Sequence, residues 1–177
     1  MSLIAAQKRQ KGERKKMDKR ILAVTLALAL LLPLVATAAP LKAQVTYIID
    51  PANPAPNANV EDFFETVTPL PGDTVIVNPG TYGNDATDAQ MDFTVFAGVV
   101  LQSASGNEVT FLQGAGGAAA DTITIQSGAT ISGFTIENFG TGAADVITDG
   151  GASVDNVLIE RNRIRNNPLN GIVFNFG

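Results

Sequence analysis

Gly98-Val99-Val100-Leu101, Gly128-Ala129-Thr130-Ile131 and Gly151-Ala152-Ser153-Val154 share one pattern: a glycine followed by a short alternating run. Phe134-Thr135-Ile136-Glu137 follows the second and Val157-Leu158-Ile159-Glu160 the third, in matching places. The glycines are spaced 30 and then 23 residues apart. Self-similarity at such a period marks stacked units rather than one closed core. Around these stretches nearly every segment after residue 73 reads as a short strand bounded by Gly, Asn, Asp or Ser. Three strand runs fall in each glycine-to-glycine interval, so the chain reads as a three-sided coil whose strands stack in parallel about 4.8 Å apart.

The alternation within each run assigns side chains to faces. In Thr122-Ile123-Thr124-Ile125 the isoleucines point inward and the threonines outward. The expected core holds Val75, Val77, Val99, Leu101, Ile123, Ile125, Ile131, Phe134, Ile136, Val154, Val157, Ile159 and Val173. At the 23-residue offset Phe134 and Ile136 would stack on Val157 and Ile159, leaving Thr135, Glu137, Leu158 and Glu160 outside. Upstream, residues 44–59 read as an N-terminal strand and a proline- and asparagine-rich linker. Asn59 can cap a short helix over Val60–Val67, with Glu61 and Asp62 in its first turn and Phe63, Phe64 and Val67 on its apolar face. Pro69 and Pro71 end it. One helix of that length is no domain, but it can cover the open end of a stack.

The first 43 residues have the three-part layout of a secretory signal. A basic run reaches from Lys8 to Arg20, residues 21–35 are almost wholly apolar, and Ala36-Thr37-Ala38 supplies a small-x-small cleavage site, with Ala43 as a second candidate. Met17 is an alternative start, and a retained anchor is the competing reading; Pro33 and the small-residue exit favour cleavage. The full chain has 12 Lys+Arg, 17 Asp+Glu and a net charge of −5. Removing residues 1–43 leaves three arginines (Arg161, Arg163, Arg165), 15 acids and a charge of −12. A surface so acidic disfavours nucleic acid and, after cleavage, an anionic membrane. The expected location is extracytoplasmic, secreted or at the cell surface. With no Cys and no His, disulfides and every Cys–His or Ser–His–Asp mechanism are excluded, and most zinc sites with them.

Two further stretches carry a family resemblance. Gly72-Asp73-Thr74-Val75-Ile76-Val77-Asn78-Pro79-Gly80-Thr81-Tyr82 looks like the opening of a first coil just after a capping helix. Ile159 to Ile172, with Asn162, Asn166, Asn167 and Asn170 as corner residues, looks like an N-x-I-x-N-N…G-I coil repeat. In both, the chain resembles the right-handed parallel β-helix repeat proteins of the pectin-lyase-like superfamily, over roughly residues 45–177. The resemblance implies an all-β, right-handed, single-stranded parallel β-helix over residues 60–177 with a short N-terminal capping helix. It fixes no activity, because the scaffold hosts lyases, hydrolases, adhesins and binding modules. Pectate lyases of the superfamily use calcium-binding acids and an arginine base, and its hydrolases use clustered aspartates; the hydrolase motifs, a Gly-His-Gly among them, are missing here.

The nearest local constellation is Glu137, Asp155 and Glu160 with Arg161 and Arg163. If Glu137 and Glu160 lie outward and one coil apart, their repulsion invites a cation, and an oxygen-rich patch suits calcium. An Arg161 pairing explains the same acids without function. Arg161 and Arg163 are the candidate substrate contacts. Gly114-Ala115-Gly116-Gly117 is no phosphate cradle, since no helix follows it, and Ala118–Ala120 extend that loop. Phe174 and Phe176 read as the start of a further coil, and the run ending at Gly177 has no polar cap, so the chain reads as the amino-terminal part of a longer protein. The functional expectation is an exported surface or carbohydrate-associated β-helix, non-catalytic in this fragment. The alternatives are a lyase or hydrolase fragment acting on acidic polysaccharide, and a structural adhesin or surface-layer component.

Overall fold

The computed structural model describes residues 42–83, 91–114, 122–139, 145–167 and 170–175. The chain divides into the units Met1–Ala43 and Gln44–Gly177, and the fold is that of the second. The expected signal segment with Met17 and Ala38, residues 115–120 of the glycine-rich loop, and Phe176 lie outside the described residues. Among the described residues no helix is long and apolar enough to cross a membrane.

Strand β1 (Thr46–Ile49) and helix α1 (Val60–Thr66) precede about four turns of a parallel β-helix. The first turn is β2 (Thr74–Val77), β3 (Gly80–Gly83) and β4 (Asp92–Val95). The second is β5 (Val100–Ser103), β6 (Thr110–Gln113) and β7 (Thr122–Ile125). The third is β8 (Thr130–Ser132), β9 (Thr135–Glu137) and β10 (Ile147–Thr148), and the fourth is β11 (Leu158–Glu160), β12 (Arg163–Arg165) and β13 (Ile172–Val173). Sheet 1 runs β1-β2-β5-β8-β11, sheet 2 runs β3-β6-β9-β12 and sheet 3 runs β4-β7-β10-β13, with every pairing parallel.

Inward residues stack on their counterparts. Val75, Leu101, Ile131 and Ile159 form one column, Leu112, Ile136 and Ile164 a second, and Phe93, Ile123 and Ile147 a third. The lower members are buried, and each contributes about 2 kcal/mol by leaving water. Of the expected core, Val157 and Ile159 are only half-buried, because no described strand covers the upper side of the fourth turn. Val154 lies half-buried in the excursion between β10 and β11, and Val173 stands over Thr148 in an outward column, so that Ile172 and not Val173 continues the inward column of Ile123 and Ile147. Core members beyond the expected set include Ile49, Tyr82, Met91, Leu112 and Phe139.

The last turn departs from the sequence expectation. Ile159 stands over Ile131 and Arg165 over Glu137, an advance of 28 residues rather than 23. The corner that opens each sheet-1 strand explains why. Gly72 (φ 93°), Gly98 (φ 67°), Gly128 (φ 73°) and Asn156 (φ 57°) each hold the left-handed conformation two residues before β2, β5, β8 and β11. Their backbones stack, Gly98 N–H donating to Ser127 O and Gly128 N–H to Asp155 O. The third copy of the pattern is therefore Asn156-Val157-Leu158-Ile159. Asparagine tolerates that region where glycine is usual, and Gly151 belongs to the excursion between β10 and β11.

The corner asparagines tie turns together. Asn162 Oδ1 accepts from Phe134 N–H at 2.9 Å while its Nδ2 donates to Ile131 O at 2.8 Å. Asn167 Oδ1 accepts from Phe139 N–H at 3.0 Å, and Asn170 Nδ2 donates to Asp145 Oδ1 at 3.0 Å. The polar letters of the 72–82 motif serve the first turn in the same way. Buried Asp73 accepts from Val45 N–H and Leu70 N–H, Asn78 Nδ2 donates to Asp50, and Tyr82 Oη donates to Asn78 O. Burial, with Asp50 nearby, pushes the Tyr82 phenol up to about 12.

Helix α1 closes the lower end. Phe64 stacks on Phe93 with ring centroids 5.4 Å apart, and Phe63 lies 5.1 Å from Tyr47. Asn59 occupies the N-cap position, but its side chain makes no cap bond and reaches Gly83 O instead. Glu61, in the first turn as expected, is buried and accepts from Asp92 N–H at 2.8 Å.

Candidate functional site

The outward face of sheet 1 carries two columns. One is Thr46, Thr74, Val100, Thr130 and Leu158; the other is Ile48, Ile76, Gln102, Ser132 and Glu160. Parallel pairing without slip places the members of a column one above another. Beside the second column the chain between β5 and β6 leaves the coil as a short loop. Ser103 Oγ organises it, accepting from Ser105 N–H at 3.1 Å and Gly106 N–H at 2.9 Å and lying 2.7 Å from Thr110 Oγ1.

That loop climbs the stack. Thr135 Oγ1 of the third turn donates to Asn107 O at 2.6 Å, and Asn107 Nδ2 donates to Arg161 O of the fourth turn at 2.8 Å. This accounts for Thr135, which points outward as expected yet is buried. Loop and sheet together bound an open groove of about 560 Å³. Ile76, Gln102 and Ser132 form its floor, Ser103 to Asn107 one wall, and Gly133 and Arg161 its upper end.

Arg161 occupies the corner that Gly133 occupies one turn below, since Gly133 N–H donates to Glu160 O. Its φ is 56° and that of Gly133 is 81°. A residue with a Cβ in that region costs about 1–2 kcal/mol, so the corner holds a strained arginine where glycine would fit. The Arg161 side chain is 79% exposed, and its Nε lies 3.9 Å from Glu160 Oε1. An exposed contact of that length contributes little, which leaves the cation free to meet a ligand.

The structure separates the remaining candidates. Glu137 lies on sheet 2 and is paired by Arg165, with Nε 2.5 Å from Oε2. Glu160 lies on sheet 1 in register with Ser132. Asp155 is exposed and acts through its backbone, donating to Ser127 Oγ and accepting from Gly128 N–H. The 23-residue offset that grouped the two glutamates is not one turn, so the three acids do not share a patch. Among the described residues no three Asp, Glu, His or Cys side chains converge as a metal centre requires. Arg163 points outward on sheet 2, with Nη1 3.9 Å from Glu108 Oε1. Arg161 alone of the sequence candidates lines the groove, and Gln102, Ser132 and Asn107 were not among them.

A buried carboxylate lies elsewhere, above Ile125 at the end of β10. Asp149 accepts from Gly151 N–H, from Asn175 N–H at 2.6 Å and from Asn175 Nδ2 at 3.0 Å. Burial opposes its ionisation, but the bonds from Asn175 and Gly151 outweigh burial and hold the carboxyl below its ordinary range. Its partners belong to the chain itself, so its role is to fasten residue 175 to the third turn.

No family model, curated protein or solved structure matches the chain.

Proposed function

We propose that this chain is an exported, carbohydrate-associated β-helix of the pectin-lyase-like type whose sheet-1 groove binds an oligosaccharide without cleaving it. The observation that carries the reading is the groove's lining: a side-chain amide, two or more hydroxyls and a guanidinium over an isoleucine floor. Sugars present that mixture, hydroxyls that donate and accept around a ring with an apolar face. A concave site with a few convergent polar groups is the usual form of a small-ligand site. Two-carboxylate glycoside hydrolysis needs a pair of acids flanking the bond. None of the described lining residues is acidic, and Glu160 beside them has Arg161 as its neighbour.

The test is calorimetric titration of the mature chain with oligogalacturonide, xylo-, manno- and cello-oligosaccharides, with and without calcium, followed by analysis of the sugars. The reading expects saturable binding to at least one class, weakened by Gln102→Ala, and sugars recovered intact. Release of reducing or unsaturated ends would favour the lyase or hydrolase alternative. Neither binding nor turnover would favour a purely structural surface component.

A further inference from the structure

The groove changes character along its length. Its floor of Ile76, Gln102 and Ser132 continues in register to Ile48 below and Glu160 above, with Arg161 at the upper end of the groove. Five positions one strand apart cover about 19 Å. Two isoleucines stacked on the outer face are unusual for so acidic a surface, and Ile48 is 53% exposed. Lone exposed apolar residues need no explanation. Two in register, one of them on the floor of a groove, do. The apolar face of one unsubstituted ring covers only part of this apolar run and leaves the remaining isoleucine surface in water. An apolar group there would instead leave water while the hydroxyls beyond it meet Gln102, Ser132 and Asn107.

We infer that the groove prefers a glycan carrying an apolar substituent, an alkyl, acyl or ester group, seated over Ile76 with the sugar extending toward Ser132 and Arg161. This rests on the glycan reading of the groove and adds its direction, its ligand subclass and Ile76 as the residue that sets specificity. Ile48 continues the apolar floor below and would take the far end of a longer substituent.

The experiment compares each oligosaccharide of the panel with its n-butyl glycoside, on the wild-type mature chain and on Ile76→Asn. Covering one methylene is worth about fourfold in affinity, so the butyl glycoside should bind at least tenfold tighter. Ile76→Asn should erase that gain, so that the parent and butyl forms bind the variant equally, whatever its affinity for the parent sugar. Ile76 points outward, so the variant should melt with the parent, and the wild-type comparison stands even if it does not. Equal affinity of wild type for parent and butyl forms overturns the inference and leaves the glycan reading intact. A gain that survives Ile76→Asn also overturns it, because the alkyl group then sits elsewhere. Binding of neither form overturns the glycan reading itself and this inference with it.

Discussion

Asn107 and Arg161 are 54 residues apart in the chain, and the amide of the first donates to the backbone carbonyl of the second at 2.8 Å. One bond thus fastens a loop of the second turn to the corner of the fourth and sets the distance between the wall and the upper end of the groove. Removing it by Asn107→Ala should destabilise the chain by about 1 kcal/mol, the usual net worth of a hydrogen bond. The bond from Thr135 to the Asn107 backbone carbonyl survives that change, so the loop should keep its base. Urea unfolding gives the stability change, and glycan affinity should fall with it.

At Arg161 stability and binding should move in opposite directions. Arg161→Gly removes a Cβ from a corner with φ 56° and keeps the carbonyl that Asn107 holds. The relief of about 1–2 kcal/mol is offset in part by the greater freedom of glycine in the unfolded chain. Unfolding stability should be unchanged or higher by up to about 1 kcal/mol, while affinity for the groove's ligand drops. A residue kept for structure alone would lose nothing on this substitution.

The sheet-1 corner makes a sharper backbone prediction. Asn156→Gly should be nearly neutral, whereas Gly98→Val should be severely destabilising. A Cβ at Gly98 would lie 3.1 Å from Pro71 Cβ, and a β-branched residue is strained at φ 67°. Thermal unfolding of the two variants separates a shared left-handed corner from two unrelated turns.

Asp149 gives the fold an acid limb. Its carboxyl is held below the ordinary carboxylate range by its hydrogen bonds despite burial. A folded pKa below the unfolded one stabilises the chain above the unfolded value, and that contribution is lost as pH falls through the folded value. The wild type should therefore lose stability as pH drops below about 4, and Asp149→Asn should flatten that part of the profile. The measurement is melting temperature from pH 6 to pH 2 for both chains at constant ionic strength.

What the sequence reveals here follows from which physical signals are local. Alternation in Thr122-Ile123-Thr124-Ile125 and the glycines at 98 and 128 report directly on strand face and corner conformation, so the coil and its first register are legible. The last turn is not, because Asn156 takes the corner usually given to glycine while Gly151 offers a false match. Strand β12 is hidden for a related reason: Arg163-Ile164-Arg165 alternates correctly, but the asparagines around it read as one continuous corner. Pro79, Gly80 and Gly83 similarly conceal β3, since both residue types are rare in strands. Arg161 is legible as a candidate because it is one of only three cations after residue 43. Gln102, Ser132 and Asn107 are ordinary polar residues, and the 28-residue register together with the loop that crosses it is what makes them neighbours.

The central claim, that the sheet-1 groove is the ligand site, is tested most directly by amide NMR of the mature chain titrated with the tightest-binding oligosaccharide. The account predicts saturable shifts concentrated at Gln102, Asn107, Ser132, Gly133 and Arg161, with sheet 3 and the Asp149–Asn175 corner unmoved. Shifts confined to those other surfaces, or no shifts from any oligosaccharide of the panel, would contradict it.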